Sequence, residues 1–139
     1  MNININNLPL PVTSKLTDII KNALKGKDLT GKTSLTLNFR DPDYSAETGG
    51  YHPVEMMLKR QGDEWHFQYI TDFCYVGIGP YAELVKDLDF DFGAGVFQTT
   101  YGYYRIEEAL DIYPVWEQNF CCFVNAGCFL QSSMTRNCL

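Results

Sequence analysis

The sequence predicts an α+β fold, in which an antiparallel β-sheet is covered on one face by one N-terminal and two C-terminal α-helices. Three observations support this prediction. Apolar residues near the N-terminus have helical spacing, the middle of the chain alternates apolar and polar residues as strands do, and helical spacing returns after residue 105. Strands and helices therefore occupy separate parts of the chain, which is typical of α+β proteins and not of alternating α/β folds.

The first helix is predicted over residues 13–25. Its apolar positions fall at i, i+3, i+4, i+7 and i+8, with lysines and an aspartate between them. Thr13 or Ser14 can cap its start, and Gly26 can adopt the left-handed conformation that often follows a helix. The polar ends of the chain, residues 1–12 and 131–139, are expected to be loose.

Alternation with a period of two predicts the strands. A first strand covers residues 35–39, and the clearest element follows as a hairpin with a turn at Gly62. In this hairpin Trp65, Phe67 and Tyr69 should face the core, whereas His66 should face outward. Residues 71–82 are read as irregular, and a second hairpin is predicted over 88–104 around the sequence Gly-Ala-Gly.

Two helices are predicted after the sheet, over residues 105–112 and 114–126. Pro114 disfavours helix at Tyr113 but fits the first position of a new helix. Gly127 can close the second helix. Trp116, Phe120, Phe123 and Val124 would supply the apolar face of that helix.

Composition limits the functions that the chain can have. With 139 residues, 45% of them hydrophobic, a single domain over residues 1–139 with one core is expected. The formal charge of −6 repels phosphate backbones and anionic lipids, so neither direct nucleic-acid binding nor membrane binding is predicted. No run of apolar residues approaches the roughly 20 needed to cross a bilayer, and no secretory signal is recognised, so a cytoplasmic location is expected.

The cysteines indicate reduced thiols. Their number is odd and two are adjacent in sequence, which does not suit a disulfide framework. On a helix, adjacent cysteines point about 100° apart, so core packing of at least one is favoured over a shared metal. The five are Cys74, Cys121, Cys122, Cys128 and Cys138.

Three acidic residues form the most regular charge pattern. Asp87, Asp89 and Asp91 alternate with apolar residues and resemble the start of a calcium-binding loop. The twelfth position of such a loop is Gln98, where glutamate is required, so a solvated acidic strand face is favoured. The nearby segment from Gly77 has the spacing G-x-G-x-x-A of a dinucleotide-binding turn, but it lacks the βαβ context and is interpreted as an ordinary glycine loop.

No catalytic constellation is recognised, and neither a cofactor nor a metal is predicted. Two histidines without signature spacing do not indicate a metal site. An alternative hypothesis is a ligand pocket or enzyme site formed by His52, Asp72, Cys74 and Tyr75, in which a cysteine nucleophile would need the histidine within hydrogen-bond reach. Aromatic residues exceed the needs of a small core, so some tyrosines, with Tyr81 as a candidate, are expected to line a groove or a subunit interface.

Several longer motifs resemble an uncharacterised family of bacterial conserved hypothetical proteins found in genomic and pathogenicity islands of vibrios and their relatives. The resemblance extends from about the first strand to Gly127. The motifs that carry it are His52-Pro53-Val54-Glu55, Tyr69-Ile70-Thr71-Asp72-Phe73, Tyr75-Val76-Gly77, the acidic segment 83–92, and the segment 113–120, which begins Tyr113-Pro114-Val115-Trp116.

The resemblance implies a fold similar to that of the acidic mitochondrial matrix protein that binds complement, which assembles as a ring-shaped trimer. It implies no catalytic residues. The leading hypothesis is therefore a non-enzymatic protein-interaction module of a mobile element, with an unidentified protein partner and a homo-oligomeric state, a trimer by analogy of fold. A third hypothesis is mimicry of nucleic acid, with the aspartates in place of phosphates.

Overall fold

The structure is a computed structural model that describes residues 1–137. Its helices are α1 (Ser14–Ala23) and α2 (Tyr113–Asn125), with 3-10 turns at Gly79–Tyr81 and Ile106–Ala109. The strands are β1 (Lys32–Arg40), β2 (Val54–Gln61), β3 (Glu64–Val76), β4 (Glu83–Asp91), β5 (Val96–Thr99), β6 (Gly102–Arg105) and β7 (Leu130–Asn137). They form one seven-stranded sheet in the order β6-β5-β4-β3-β2-β1-β7, with antiparallel neighbours throughout.

Both helices pack on the face of the sheet that carries its apolar residues. Leu16 and Ile20 of α1 are fully buried in the core cluster. On α2, the Phe120 ring lies 5.1 Å from that of Phe39 in β1, edge to face. The apolar faces of the helices and of the sheet thus pack together in a single layer, which confirms the predicted α+β class with an antiparallel sheet.

The prediction of two C-terminal helices is wrong, since the structure has one. Residues 105–112, expected to form the first, contain only the 3-10 turn Ile106–Ala109. Ile106 and Ala109 are both buried, and their spacing of three matches the period of a 3-10 helix. The backbone amide of Ile106 donates to the carbonyl of Gly95 at 3.0 Å, which ties the segment to the neighbouring hairpin instead of to a longer helix.

The expectation that residues 1–12 are loose is also wrong. The amide of Trp65 donates to the carbonyl of Asn2 at 2.8 Å, and the amide of Asn4 donates to the carbonyl of Trp65 at 2.9 Å. Further along, Leu10 and Val12 are buried. These backbone bonds and apolar side chains fix a segment that composition alone describes as polar.

The prediction of a loose C-terminal segment is wrong as well. Residues 131–139 are predicted to be loose, but Leu130–Asn137 form β7, which pairs with β1 over its whole length, from Leu130 opposite Arg40 to Asn137 opposite Lys32. Both faces of this edge strand are largely exposed. It therefore lacks the alternation of apolar and polar residues from which a strand is predicted. Residues 138–139, including Cys138, lie outside the described residues.

The hairpin of β2 and β3 is confirmed, with Gly62 in the left-handed region at a φ of 61°. A β-bulge interrupts it, because Met57 pairs with Tyr69 whereas Leu58 pairs with Phe67, which leaves Gln68 as the extra residue. The bulge turns Tyr69 to the face opposite the helices, where its hydroxyl donates to Glu55. The prediction that Tyr69 faces the core is thus wrong, and β3 continues as far as Val76 through residues that were predicted to be irregular.

Candidate functional site

A cavity of about 440 Å³ lies between the sheet and α2. Its walls are mostly aromatic, and three polar side chains from different segments converge at one end. The aromatic walls come from Tyr51, Trp116, Phe120, Phe123 and Phe129, and the polar end from His52, Asp72 and Asp87.

Helical periodicity places three of the aromatic walls. Trp116, Phe120 and Phe123 occupy positions i, i+4 and i+7 of α2, and the first two rings stack at 5.1 Å with an interplanar angle of 7°. Phe129, just before β7, lies 5.6 Å from Phe120. Tyr51 and Phe123 contact each other at 4.6 Å and are partly exposed, so they form the mouth of the cavity.

The loop before β2 positions His52 at the polar end of the cavity. Gly50 has a φ of 140°, and a Cβ there would lie 2.7 Å from Oδ2 of Asp41, so only glycine fits. The same Oδ2 accepts a hydrogen bond from the amide of Tyr51 at 3.0 Å. On the other side of His52, the carbonyl of Pro53 accepts from the amide of Phe73 at 2.9 Å. The His52 backbone is thus held between a tight loop and the start of the sheet.

Asp72 organises the polar end from β3. Its Oδ1 lies 2.7 Å from Nδ1 of His52, and its Oδ2 accepts a hydrogen bond of 3.0 Å from Nε1 of Trp116. The hydrogen bond to Asp72 raises the pKa of His52, burial opposes this, and the charges of Asp72 and Asp87 add to the rise. Both oxygens of this buried carboxylate are therefore engaged by protein donors.

A second β-bulge aims Asp87 into the cavity. Asp72 pairs with Leu88 while Phe73 pairs with Lys86, so Asp87 is the extra residue of β4. Bulges re-aim side chains in this way, and here Asp87 and Leu88 both line the cavity. Oδ2 of Asp87 lies 3.5 Å from Nδ1 of His52. Burial raises the pKa of Asp87, the charge of Asp72 raises it further, and His52 lowers it.

Two of the other predicted site residues flank the cavity without lining it. Cys74 is half-buried, and burial followed by the charges of Asp87 and Asp72 raises the pKa of its thiol, which disfavours the thiolate that a nucleophile requires. Tyr75 stacks on Tyr44 at 5.2 Å, and Tyr44 in turn lies 5.6 Å from the ring of His52.

The remaining candidates lie elsewhere. Tyr81 is 84% exposed on the 3-10 turn between β3 and β4. Asp89 and Asp91 lie on the face opposite the helices, so the three aspartates do not form one row. Asp89 is buried and is not solvated as expected, because Thr71 donates to it at 2.8 Å and Lys86 pairs with it at 3.1 Å.

The polar end also offers donor atoms for a metal. One atom from each of His52, Asp72 and Asp87 lies within 4.8 Å of the others, a group that the sequence analysis did not predict. An imidazole nitrogen with two carboxylate oxygens suits zinc in principle. Here the hydrogen bond between Nδ1 of His52 and Asp72 occupies two of those donors.

The aromatic walls are not predicted as a site from the sequence. The spacing of Trp116, Phe120 and Phe123 predicts an apolar helix face, which is true of the buried Trp116 and Phe120 but does not reveal the cavity that the three rings line. One signal was present. A buried indole usually needs a hydrogen-bond acceptor, so Trp116 in a core position indicates a polar group nearby, and that group is Asp72.

The fold and the site define an α+β protein with a seven-stranded antiparallel sheet and an aromatic cavity on its helical face. The chain belongs to the family described as protein of unknown function DUF2787, whose model matches residues 14–135. The resemblance inferred from the sequence motifs is thereby confirmed. Comparison with the curated proteins found no match.

Two solved structures from Vibrio cholerae are similar to this chain. One is the hypothetical protein VC0508 of the VSP-II pathogenicity island, with 34% identity, a TM-score of 0.87, and coverage of 97% of this chain and 100% of that one. The other is the conserved hypothetical protein VC1805 of pathogenicity island VPI-2, with 37% identity, a TM-score of 0.81, and coverage of 93% and 98%. VC1805 is described as sharing structural homology with the human P32 protein. Within residues 1–137, no helix is both long and apolar enough to cross a membrane.

Proposed function

We propose that this protein binds a small molecule in the aromatic cavity between α2 and the sheet. The observation that carries the proposal is the combination, in one cavity of about 440 Å³, of aromatic walls with a convergent polar end made by His52, Asp72 and Asp87. Ligand sites in proteins are typically concave, roughly 300–1,000 Å³ in volume, and lined by apolar side chains with a few fixed polar groups.

The rigidity of the polar end supports the proposal. Asp72 is fixed by hydrogen bonds from two separate elements, the loop that carries His52 and the helix that carries Trp116. A group that is already oriented loses little conformational freedom when a ligand binds, which favours affinity.

The test is a fragment screen followed by NMR of the ¹⁵N-labelled protein. The chain has two tryptophans, and their indole N–H signals report on different regions, since Trp116 lines the cavity whereas Trp65 lies beside Arg60 in the β2–β3 hairpin. Saturable shifts of the Trp116 signal with an unmoved Trp65 signal are expected for some fragments. A diverse library that never moves Trp116, or that moves both signals equally, contradicts the proposal.

A protein-interaction role is the second candidate function, and exposed side chains favour it. Ile78, Tyr81, Tyr101 and Tyr103 are 74–92% exposed on two turns and an edge strand. The partner that we propose is another copy of this chain, and by analogy of fold the assembly would be a trimer. The proposed location is a reducing cytoplasm, which suits the free cysteines of the described residues. Light scattering should then give an oligomeric mass that Tyr81→Ser with Tyr101→Ser lowers, and a monomeric wild type contradicts this role.

A further inference from the structure

The hydrogen bonds of the polar end show which carboxylate is available to a ligand. Both oxygens of Asp72 accept hydrogen bonds, one from His52 and one from Trp116. Since Nδ1 of His52 donates to Asp72, that nitrogen carries its proton and has no lone pair to offer. Asp72 and Nδ1 of His52 are thus hydrogen-bonded to each other and are not available to a ligand.

Asp87 is in a different situation. Among residues 1–137 its carboxylate takes part in no hydrogen bond, and Nδ1 of His52, at 3.5 Å, is its nearest cationic partner. Its side chain is 36% exposed, and the bulge in β4 points it into the cavity and not along the row of Asp89 and Asp91. It therefore presents acceptor oxygens to anything that enters.

The remaining walls select the charge of the ligand. None of the described residues that line the cavity is a lysine or an arginine, whereas two carboxylates face a single imidazole. The cavity is therefore acidic even when His52 is protonated. The aromatic rings in the walls also favour a cation over an anion, because the ring quadrupole places negative potential above a ring face.

We propose that the ligand joins an aromatic or other apolar body to a protonated amine, and that Asp87 receives the amine while the body packs against the aromatic walls. This inference rests on the proposed function and specifies its ligand class. A metal ion is disfavoured by the same geometry, because two of the three donor atoms needed are occupied by the hydrogen bond between His52 and Asp72. Asp72 acts as a positioning residue, since it holds His52 beside Asp87.

The test uses three probes that share a phenyl ring and differ in charge: 2-phenylethylamine, 2-phenylethanol and 3-phenylpropanoate. Their dissociation constants are measured by titration, with the Trp116 indole signal as the reporter. A charge-assisted hydrogen bond should make the amine bind about tenfold tighter than the alcohol, and the carboxylate should bind more weakly than either. Asp87→Asn should weaken amine binding about tenfold and change alcohol binding by less than about twofold.

Asp91→Asn is the matched control, because Asp91 lies on the opposite face of the sheet and should change none of the three constants. An unshifted Trp65 signal verifies that each variant is folded. If the alcohol binds as tightly as the amine, or if Asp87→Asn affects both alike, the inference is overturned while the proposed function stands. If fragments of the wider screen move Trp116 but no amine does, the inference again fails. If nothing moves Trp116, the proposed function itself fails.

Discussion

Nε1 of Trp116 lies 3.0 Å from Oδ2 of Asp72, and this hydrogen bond connects α2 to the central strand β3. The other oxygen of Asp72 lies 2.7 Å from Nδ1 of His52. One buried carboxylate thus fixes a helix, a strand and a loop relative to one another. The polar end of the cavity is consequently part of the structure that holds the fold together.

Trp116→Phe should destabilise the protein by about 1.5–3 kcal/mol, because the buried Asp72 loses a donor that no other group replaces. Urea unfolding monitored by circular dichroism measures this loss. Trp65→Phe is the control for the change in ring size, since no indole hydrogen bond of Trp65 is found among the described residues. Equal losses in the two variants would mean that the hydrogen bond to Asp72 contributes nothing beyond packing.

The stability of the protein should depend on pH through His52. Its folded pKa is raised above the ordinary value of about 6.5. A raised histidine pKa stabilises the folded state fully below the unfolded pKa, and this contribution is lost as pH rises through the folded pKa. The charged groups that face His52 are Asp72 from β3 and Asp87 from β4.

Melting temperatures should therefore fall from about pH 6.5 upward in the wild type and fall less in His52→Gln. Because the His52 side chain is 38% exposed, solvent screening limits the effect to about 1 kcal/mol or less. His66→Gln, which leaves the pair of His52 and Asp72 intact, should retain the decline. A decline that is the same with and without His52 would assign the pH dependence to other groups.

Asp87→Asn should raise the stability of the unliganded protein slightly at neutral pH. A carboxyl whose folded pKa is raised favours the folded state at low pH, and this contribution is lost as pH rises through the folded pKa. Its side chain is 36% exposed, so the gain should be well under about 1 kcal/mol. Melting curves at pH 3.5, below the ordinary carboxyl pKa, and at pH 7.5 test this, and the variant should gain more at the higher pH. A loss of stability at pH 7.5 would show that Asp87 serves the fold and not a ligand.

The relation between sequence and structure is clear at Asp87 and Asp89. Alternation along β4 predicted the strand itself, but it assigned Asp87 to the same row as Asp89. The bulge that separates them depends on the register of β4 against β3, a contact between distant parts of the chain. Local patterns determine α1, the hairpin around Gly62 and α2, whereas the meeting of His52, Asp72 and Trp116 requires the tertiary fold.

Glu117→Gln should destabilise the protein by about 1–3 kcal/mol. Glu117 is buried in α2, and its carboxylate accepts hydrogen bonds from the amide of Thr13 at 2.9 Å, the Thr13 hydroxyl at 2.6 Å and the Tyr113 hydroxyl at 2.8 Å. Glu117 of α2 is thus the acceptor for two donors of Thr13, the residue immediately before α1. An amide is uncharged and offers one acceptor oxygen instead of two, so the charge-assisted hydrogen bonds are weakened and at least one hydroxyl must reorient or lose its acceptor. Urea unfolding measures the loss, and Glu107→Gln, an exposed change, should be within about 0.5 kcal/mol of wild type.

Removal of residues 130–139 should destabilise the protein by roughly 2 kcal/mol or more and promote self-association. The truncation ends at Phe129, which keeps that ring against Phe39 and Phe120 but leaves β1 as an unpaired edge with Leu35 and Leu37 on its buried face. Urea unfolding and light scattering at two concentrations measure both effects.

Met134→Thr is the control for the truncation. Met134 is 68% exposed on β7 and threonine is a good strand residue, so this variant should behave as the wild type. A truncated protein that stays as stable and as monodisperse as Met134→Thr would mean that β7 contributes no more than the loose tail its composition predicts. The pairing of all eight β7 residues with β1 argues for the opposite result, because each lost backbone hydrogen bond leaves a donor or an acceptor of β1 without its partner.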